Sequence, residues 1–263
     1  MNSEQPLKPI RITKGNIISQ FRTAYRYRGL YYIIKAAPSY TRSLFFTTLP
    51  NYFCLLYYRL FKSSETFEFQ GNSYHYLFHT YCPTWKNERA AMIPIVLEIV
   101  QKYRQQNKEV LEVGNMLSYV FKADHDILDK YEVAEGVINE DAVDFDPPKQ
   151  YDLIVSIFTL QVIGLDEAPQ EPAKGFRAMQ NLKRLLAPSG RMIILHALGH
   201  NYEMDELLKN GEMKFDKQFY LKRITDYKWK EAIWDDVKDL TYDYSTPTAN
   251  GVVIGIIEKS SSQ

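Results

Sequence analysis

From residue 109 onward, short apolar runs alternate with amphipathic stretches, and this alternation limits the possible folds more than any other feature of the chain. "EVLEV" (Glu109–Val113), "HDILDKYE" (His125–Glu132), "YDLIVSIFTL" (Tyr151–Leu160) and "RMIILHAL" (Arg191–Leu198) read as strands. "KGFRAMQNLKRLLAPSG" (Lys174–Gly190) reads as an amphipathic helix closed by Pro-Ser-Gly. A chain that returns to a strand after each helix builds a doubly wound, mostly parallel α/β sheet. "DLTYDYS" and "GVVIGIIEK" are expected to add a closing antiparallel pair. Sheets of this kind bind ligands at the carboxyl ends of their strands, so functional residues are expected just beyond each run.

At the first strand end stand Glu112, Gly114 and Asn115. A glycine there allows close approach to the backbone, and Asn tolerates the left-handed conformations of such turns. The second ends near Asp129, where a carboxylate can accept ribose hydroxyls. The third, "GVINEDAVDF", presents Asn139, Glu140 and Asp141, and the fourth ends at Ser156 and Ile157. The sequence contains neither G-x-x-x-x-G-K-[ST] nor G-x-G-x-x-G, so no phosphate cradle is present. Acids without a cradle favour a nucleoside carrying a positive or neutral tail over a pyrophosphate.

In that order, "EVG", "DKYE", "NEDAVDF", "YDLIVSIFTL" and "NLKRLLAPSGRMIIL" resemble the class I S-adenosylmethionine-dependent methyltransferases over Glu88 to Glu258. "TWKNER", "GVINED" and "TANGVVIG" further resemble a subgroup associated with surface glycan biosynthesis. The resemblance implies a Rossmann-like methyltransferase sheet with S-adenosyl-L-methionine as cofactor. Glu112, Gly114 and Asn115 would lie beside its methionine part, Asp129 on the ribose, Asn139 and Asp141 on the adenine side, and Ser156 with Ile157 at the loop after the fourth strand. The chain departs from the family twice. Asn115-Met116-Leu117 replaces a glycine-rich turn, and Gln161-Val162 stands where many relatives carry an acid and a histidine. The catalytic candidates are therefore Gln161, His196 and His200, with structural roles open for each. His75 and His79 read as surface residues, His125 as a lead-in to the second strand, and Asp166 and Glu167 as flanks of a helix start.

Upstream of this domain, residues 1–63 carry ten Lys/Arg against Glu4 alone, although the chain as a whole is neutral. This basic, aromatic, helical extension is expected to precede a methyltransferase-like domain at 64–263. A hairpin around Gly71-Asn72 and an amphipathic helix with Ile93, Val96, Leu97, Val100 and Tyr103 on one face link the two. Pro94 suits that helix only near its first turn. The apolar window Leu44–Phe61 is interrupted by Pro50 and too short for a confident span; it either packs on the body or lies in a membrane surface. Free Cys54 and Cys82 and the polar start point to the cytoplasm, with the extension held at the inner face of the membrane. The expected activity is O-methylation of a small-molecule or glycan acceptor, with a catalytically inactive methyltransferase-like binding or scaffold protein as the alternative. An anionic membrane is the expected partner of residues 1–63, ahead of nucleic acid; no metal is expected.

Overall fold

The computed structural model describes residues 49–261. After helix α1 (Leu49–Phe61) come the hairpin β1 (Thr66–Phe69) and β2 (Asn72–His75), then α2 (Arg89–Gln105). The main sheet is built from β3 (Val110–Val113), β4 (Asp126–Leu128), β5 (Val137–Ile138), β6 (Tyr151–Ile157), β7 (Leu186–Ala197), β8 (Lys217–Arg223), β9 (Trp229–Ala232) and β10 (Gly251–Glu258). Between strands lie α3 (Lys174–Arg184), α4 (Tyr202–Lys209) and the short α5 (Trp234–Val237). The sheet order is β5-β4-β3-β6-β7-β10-β8-β9. Its first five strands run parallel; β10 enters antiparallel between β7 and β8, and β9 closes the edge antiparallel to β8. This is the doubly wound, Rossmann-like architecture expected.

Side-chain alternation divides the core cleanly. Val110, Leu153, Val155, Ile157, Ile193 and Leu195 face α2 and the hairpin, while Leu111, Val113, Ile154, Met192 and Ile194 face α3 and α4. Both faces are covered, which explains why β3 and β6 are apolar at most positions, with Glu112 the one buried acid in β3.

In α2, Ile93, Val96 and Val100 are completely buried as the periodicity predicts, with Leu97 and Tyr103 half-buried. Pro94 sits one turn deeper than expected, as the sixth helical residue. Its missing N–H leaves the Ala90 carbonyl without its helical donor, and the Leu77 amide donates to that oxygen at 2.8 Å. The proline thus fastens the segment after the hairpin onto the helix. α1 docks through Leu55, Cys54 and Tyr58, the last stacked on Trp85 and in edge contact with Tyr227. Residues 1–48 of the basic extension lie outside the described residues.

Two expectations change. "DLTYDYS" is not a strand: Asp243 and Thr248 form an isolated bridge, because the Asp243 carboxylate accepts from Ser245 and Thr246 and curls the chain into a loop. The antiparallel partners of β10 are β7 and the charged strand β8 instead. The hairpin turn also centres on Gln70-Gly71, both with positive φ, one residue earlier than expected.

Where α3 begins, Gly175 lies against the strand-end loop: a Cβ built on it would come within 2.0 Å of the Leu160 carbonyl oxygen. Gly→Ala inside a helix ordinarily stabilises by up to about 1 kcal/mol. Here the sign should reverse, with Gly175→Ala losing about 2 kcal/mol as the helix is pushed off the sheet. Urea midpoints of the two proteins check this.

Candidate functional site

The strand-end turn after β3 is shaped by one buried carboxylate. Glu112 is fully buried; its Oε1 accepts from the Met116 and Leu117 amides at 2.7 Å each, and its Oε2 lies 3.1 Å from His125 Nε2. His125 is therefore a buried partner of Glu112 and more than a lead-in to β4. Asn115 is buried as well, donating to Glu132, which also accepts from the Tyr119 hydroxyl at 2.7 Å. Gly114 adopts φ +84, and a Cβ there would meet Thr159 Oγ1 at 2.0 Å. The close approach expected of this glycine is made by a side chain of the loop after β6. Ser156 and Ile157 are buried in the sheet end, where Ser156 Oγ accepts from the Leu160 amide at 3.3 Å.

Beside this turn, at the carboxyl ends of β3, β4 and β6, lies a cavity of about 100 Å³ whose walls include Val113, Leu128, Asp129, Asp141, Ala142 and Thr159. Of the expected cofactor residues, Asp129 and Asp141 line it. Asp129 Oδ1 accepts from the amides of Tyr131 and Glu132 at 2.9 and 2.8 Å, which holds the carboxylate in place. Asn139 stands behind this loop, donating to the carbonyls of Asp129 and Glu132 at 2.8 Å. It builds the site without facing it.

Four charges meet at the cavity, three of them on its wall and Lys174 behind. Lys130 Nζ bridges Asp141 at 2.7 Å and Glu167 at 2.8 Å, and Lys174 Nζ bridges the same pair at 2.6 and 2.7 Å. Burial alone would raise the Asp141 pKa, but the two ammonium groups outweigh it and hold it at about 2. Glu167 is lowered to about 2 by Lys130, then Lys174. Glu167 is thus part of the rim and not merely a flank of a helix start. Asp166 and Glu140 join it there, so carboxylates outnumber ammonium groups five to two. Lys130, Lys174 and Glu167 were invisible as a set in the sequence, since nothing local joins them.

On the β7 side, the catalytic candidates separate. Gln161 is buried, its Oε1 accepting from the Ala197 amide at 2.6 Å. His196 is buried with Nε2 at 2.6 Å from Asp205, whose other oxygen accepts from the Gly199 amide. Both therefore have structural partners. His200 is half-buried, packs edge-on against Tyr242 at 4.8 Å, and its buried Nδ1 has no hydrogen-bond partner. Burial, then His196, lower its pKa, so the imidazole stays neutral at neutral pH. No group of ligating side chains suited to a metal is present among the described residues.

The sheet order and the helices on both faces define a Rossmann-like α/β domain, with the cavity at its strand ends. Similar solved structures include the N-methyltransferase NodS from Bradyrhizobium japonicum in complex with S-adenosyl-L-homocysteine, at 10% identity and TM-score 0.38, covering 67% of this chain and 94% of that one. A S-adenosylmethionine-dependent methyltransferase from Clostridium acetobutylicum is similar at 12% identity and TM-score 0.32, covering 62% and 89%. The aminopentose methyltransferase CalS10 from Micromonospora echinaspora, bound to S-adenosylmethionine, shows 19% identity and TM-score 0.28 over 42% and 50%. At these identities and scores the likeness assigns no activity to this chain. No protein-family model and no curated protein matches it.

The lysine–carboxylate cluster has a pH consequence. Because Asp141 and Glu167 are depressed in the folded state, their contribution is present above pH 4.5 and lost as pH falls toward 2. Lys174→Gln should therefore narrow its stability gap from wild type across that window, measured as urea midpoints at pH 6, 4 and about 3.

Proposed function

We propose that the chain is a S-adenosylmethionine-dependent methyltransferase, acting on a hydroxyl of a small-molecule or glycan acceptor. The observation that carries this reading is the carboxylate-rimmed cavity at the carboxyl ends of parallel strands, in a chain without a phosphate cradle. The residue types fit the nucleoside half of the cofactor. Asp129 would take the ribose hydroxyls, its Oδ1 already fixed by two amides. Ala142 and Ile163 supply apolar walls for a base, and the excess of carboxylates suits a cationic tail. Ligand sites run to roughly 300–1,000 Å³, so a cavity of about 100 Å³ must widen. Lys130, 37% exposed at its side chain, is the group placed to swing out.

When bound, the cofactor supplies an electrophilic methyl group on a sulfonium. The protein's own work is then orientation, since near-attack positioning alone is worth roughly 7–11 kcal/mol in favourable cases. His200 is the proton acceptor we favour, because its imidazole is neutral and one ring nitrogen is unengaged. The alternative, a methyltransferase-like binding protein without chemistry, draws support from Thr159 lying against Gly114 where the methionine end would go.

Calorimetric titration of the protein with S-adenosylmethionine and S-adenosylhomocysteine tests the cofactor. Binding is expected, weakened about tenfold or more by Asp129→Ala. No heat from either ligand at about 1 mM would remove the reading.

We further propose that residues 1–63 hold the protein at the inner, anionic face of a membrane. α1 supports this: beyond the face that docks on the body, Phe53, Leu60 and Phe61 are 72%, 66% and 67% exposed, beside exposed Leu56 and Tyr57. Contiguous apolar patches of this kind mark interaction surfaces, and the ten basic residues of 1–63 match an anionic one. No described helix is long and apolar enough to cross a membrane. Full-length protein should pellet with anionic phosphatidylserine vesicles and less so in high salt, whereas a chain starting at Glu65 should stay in the supernatant. Equal pelleting of the two would exclude the extension as anchor.

A further inference from the structure

A second hollow lies beside Arg89, whose guanidinium rests over Phe158 of the loop after β6. It measures about 490 Å³, within the usual range for a small ligand, and lies between the start of α2 and the loop 242–247. Its charge is opposite to that of the first cavity. Lys86 and Arg89 lie on its wall with Cys82, Tyr242 and Thr246, and no carboxylate does. The nearby Asp243 is satisfied by the amides and hydroxyls of Ser245 and Thr246.

Arg89 is the unusual group. Its Nη1 donates to Glu88 Oε1 at 2.7 Å, and its guanidinium lies over the Phe158 ring at 5.4 Å. Its Nε is buried with no partner. Glu88 offers it one oxygen only, because Oε2 accepts from Thr248 Oγ1 at 3.0 Å and the Ala249 amide at 3.1 Å. A guanidinium with five N–H donors and a single carboxylate oxygen is short of acceptors. Carboxylates and phosphates match that fork bidentately, and Lys86 at the exposed rim adds a second cation. His200, whose Nδ1 has no partner, packs against Tyr242, a wall residue of this hollow.

We infer that this hollow binds the anionic group, carboxylate or phosphate, of a small ligand. Calling that ligand the methyl acceptor rests on the methyltransferase reading; the anion site itself does not. Hexose-sized probes test it: glucuronate, glucose 6-phosphate and uncharged glucose, titrated calorimetrically into the full-length protein with and without S-adenosylhomocysteine. At least one acid should bind, about tenfold or more tighter than glucose, and which one separates a carboxylate from a phosphate. Lys86→Glu, at the rim, should weaken that acid by about tenfold. Arg89→Lys, which keeps a charge beside Glu88 but loses the fork, should do the same while still unfolding in one cooperative transition. No binding of either acid, binding of glucose as tight as theirs, or wild-type acid affinity in both folded variants would overturn the site. The cofactor arm reports separately: acid binding with no heat from either S-adenosylmethionine or S-adenosylhomocysteine leaves the anion site standing and removes the methyltransferase reading, and the reverse result removes the anion site alone.

Discussion

A carboxylate with no access to water has to be matched on nearly every lone pair, and Glu112 at the end of β3 imposes that condition on its surroundings. Two amides of the following turn and the His125 ring meet it, through charge-assisted bonds stronger than neutral ones. The chain after Val113 must therefore fold back over the strand end instead of leaving it, which presses Gly114 onto Thr159. From there the geometry propagates: Asn115 meets Glu132, Glu132 meets Tyr119, and Tyr119 stacks on Tyr81 with ring centroids 3.6 Å apart. One buried acid thus links β3, β4 and the segment leading into α2 at the mouth of the site.

The fold was legible wherever a strand is buried on both faces. Leu153 to Ile157 read as a strand because no position in it can afford a charge when both sides of the sheet are covered. β8 was not legible: Lys217, Lys222 and Arg223 sit in a strand near the sheet edge, where one face sees solvent and the apolar alternation is weak. The opposite error, over Asp239–Ser245, arose because alternating Tyr and Asp mimic a strand. Asp243 instead captures four donors of its own loop, a local bond that competes with any ladder.

The site was legible by half for a related reason. Asp129 and Asp141 could be picked out because a strand end is a one-dimensional landmark, and both line the cavity. Lys130, Glu167 and Lys174 meet only after the loop following β6 folds back over β4, and that return leaves no mark in the local pattern. Glu112 could be picked out as an acid at a strand end. That its partners would be its own turn followed only from the turn's path. Likewise His196 and Gln161 stand at suggestive positions, but each is met by a neighbouring group that sequence distance concealed: Asp205 for the histidine and the Ala197 amide for the glutamine.

What joins the two hollows is a pair of adjacent residues. Phe158 has φ +59, an unfavourable conformation for a bulky side chain, which persists only where surroundings enforce it. Its ring lies beneath Arg89 in the basic hollow, while the next residue, Thr159, fills the space over Gly114 beside the acidic cavity. Two consecutive side chains thus serve different hollows, and the peptide between Phe158 and Thr159 sits where the acidic cavity and the basic hollow approach each other.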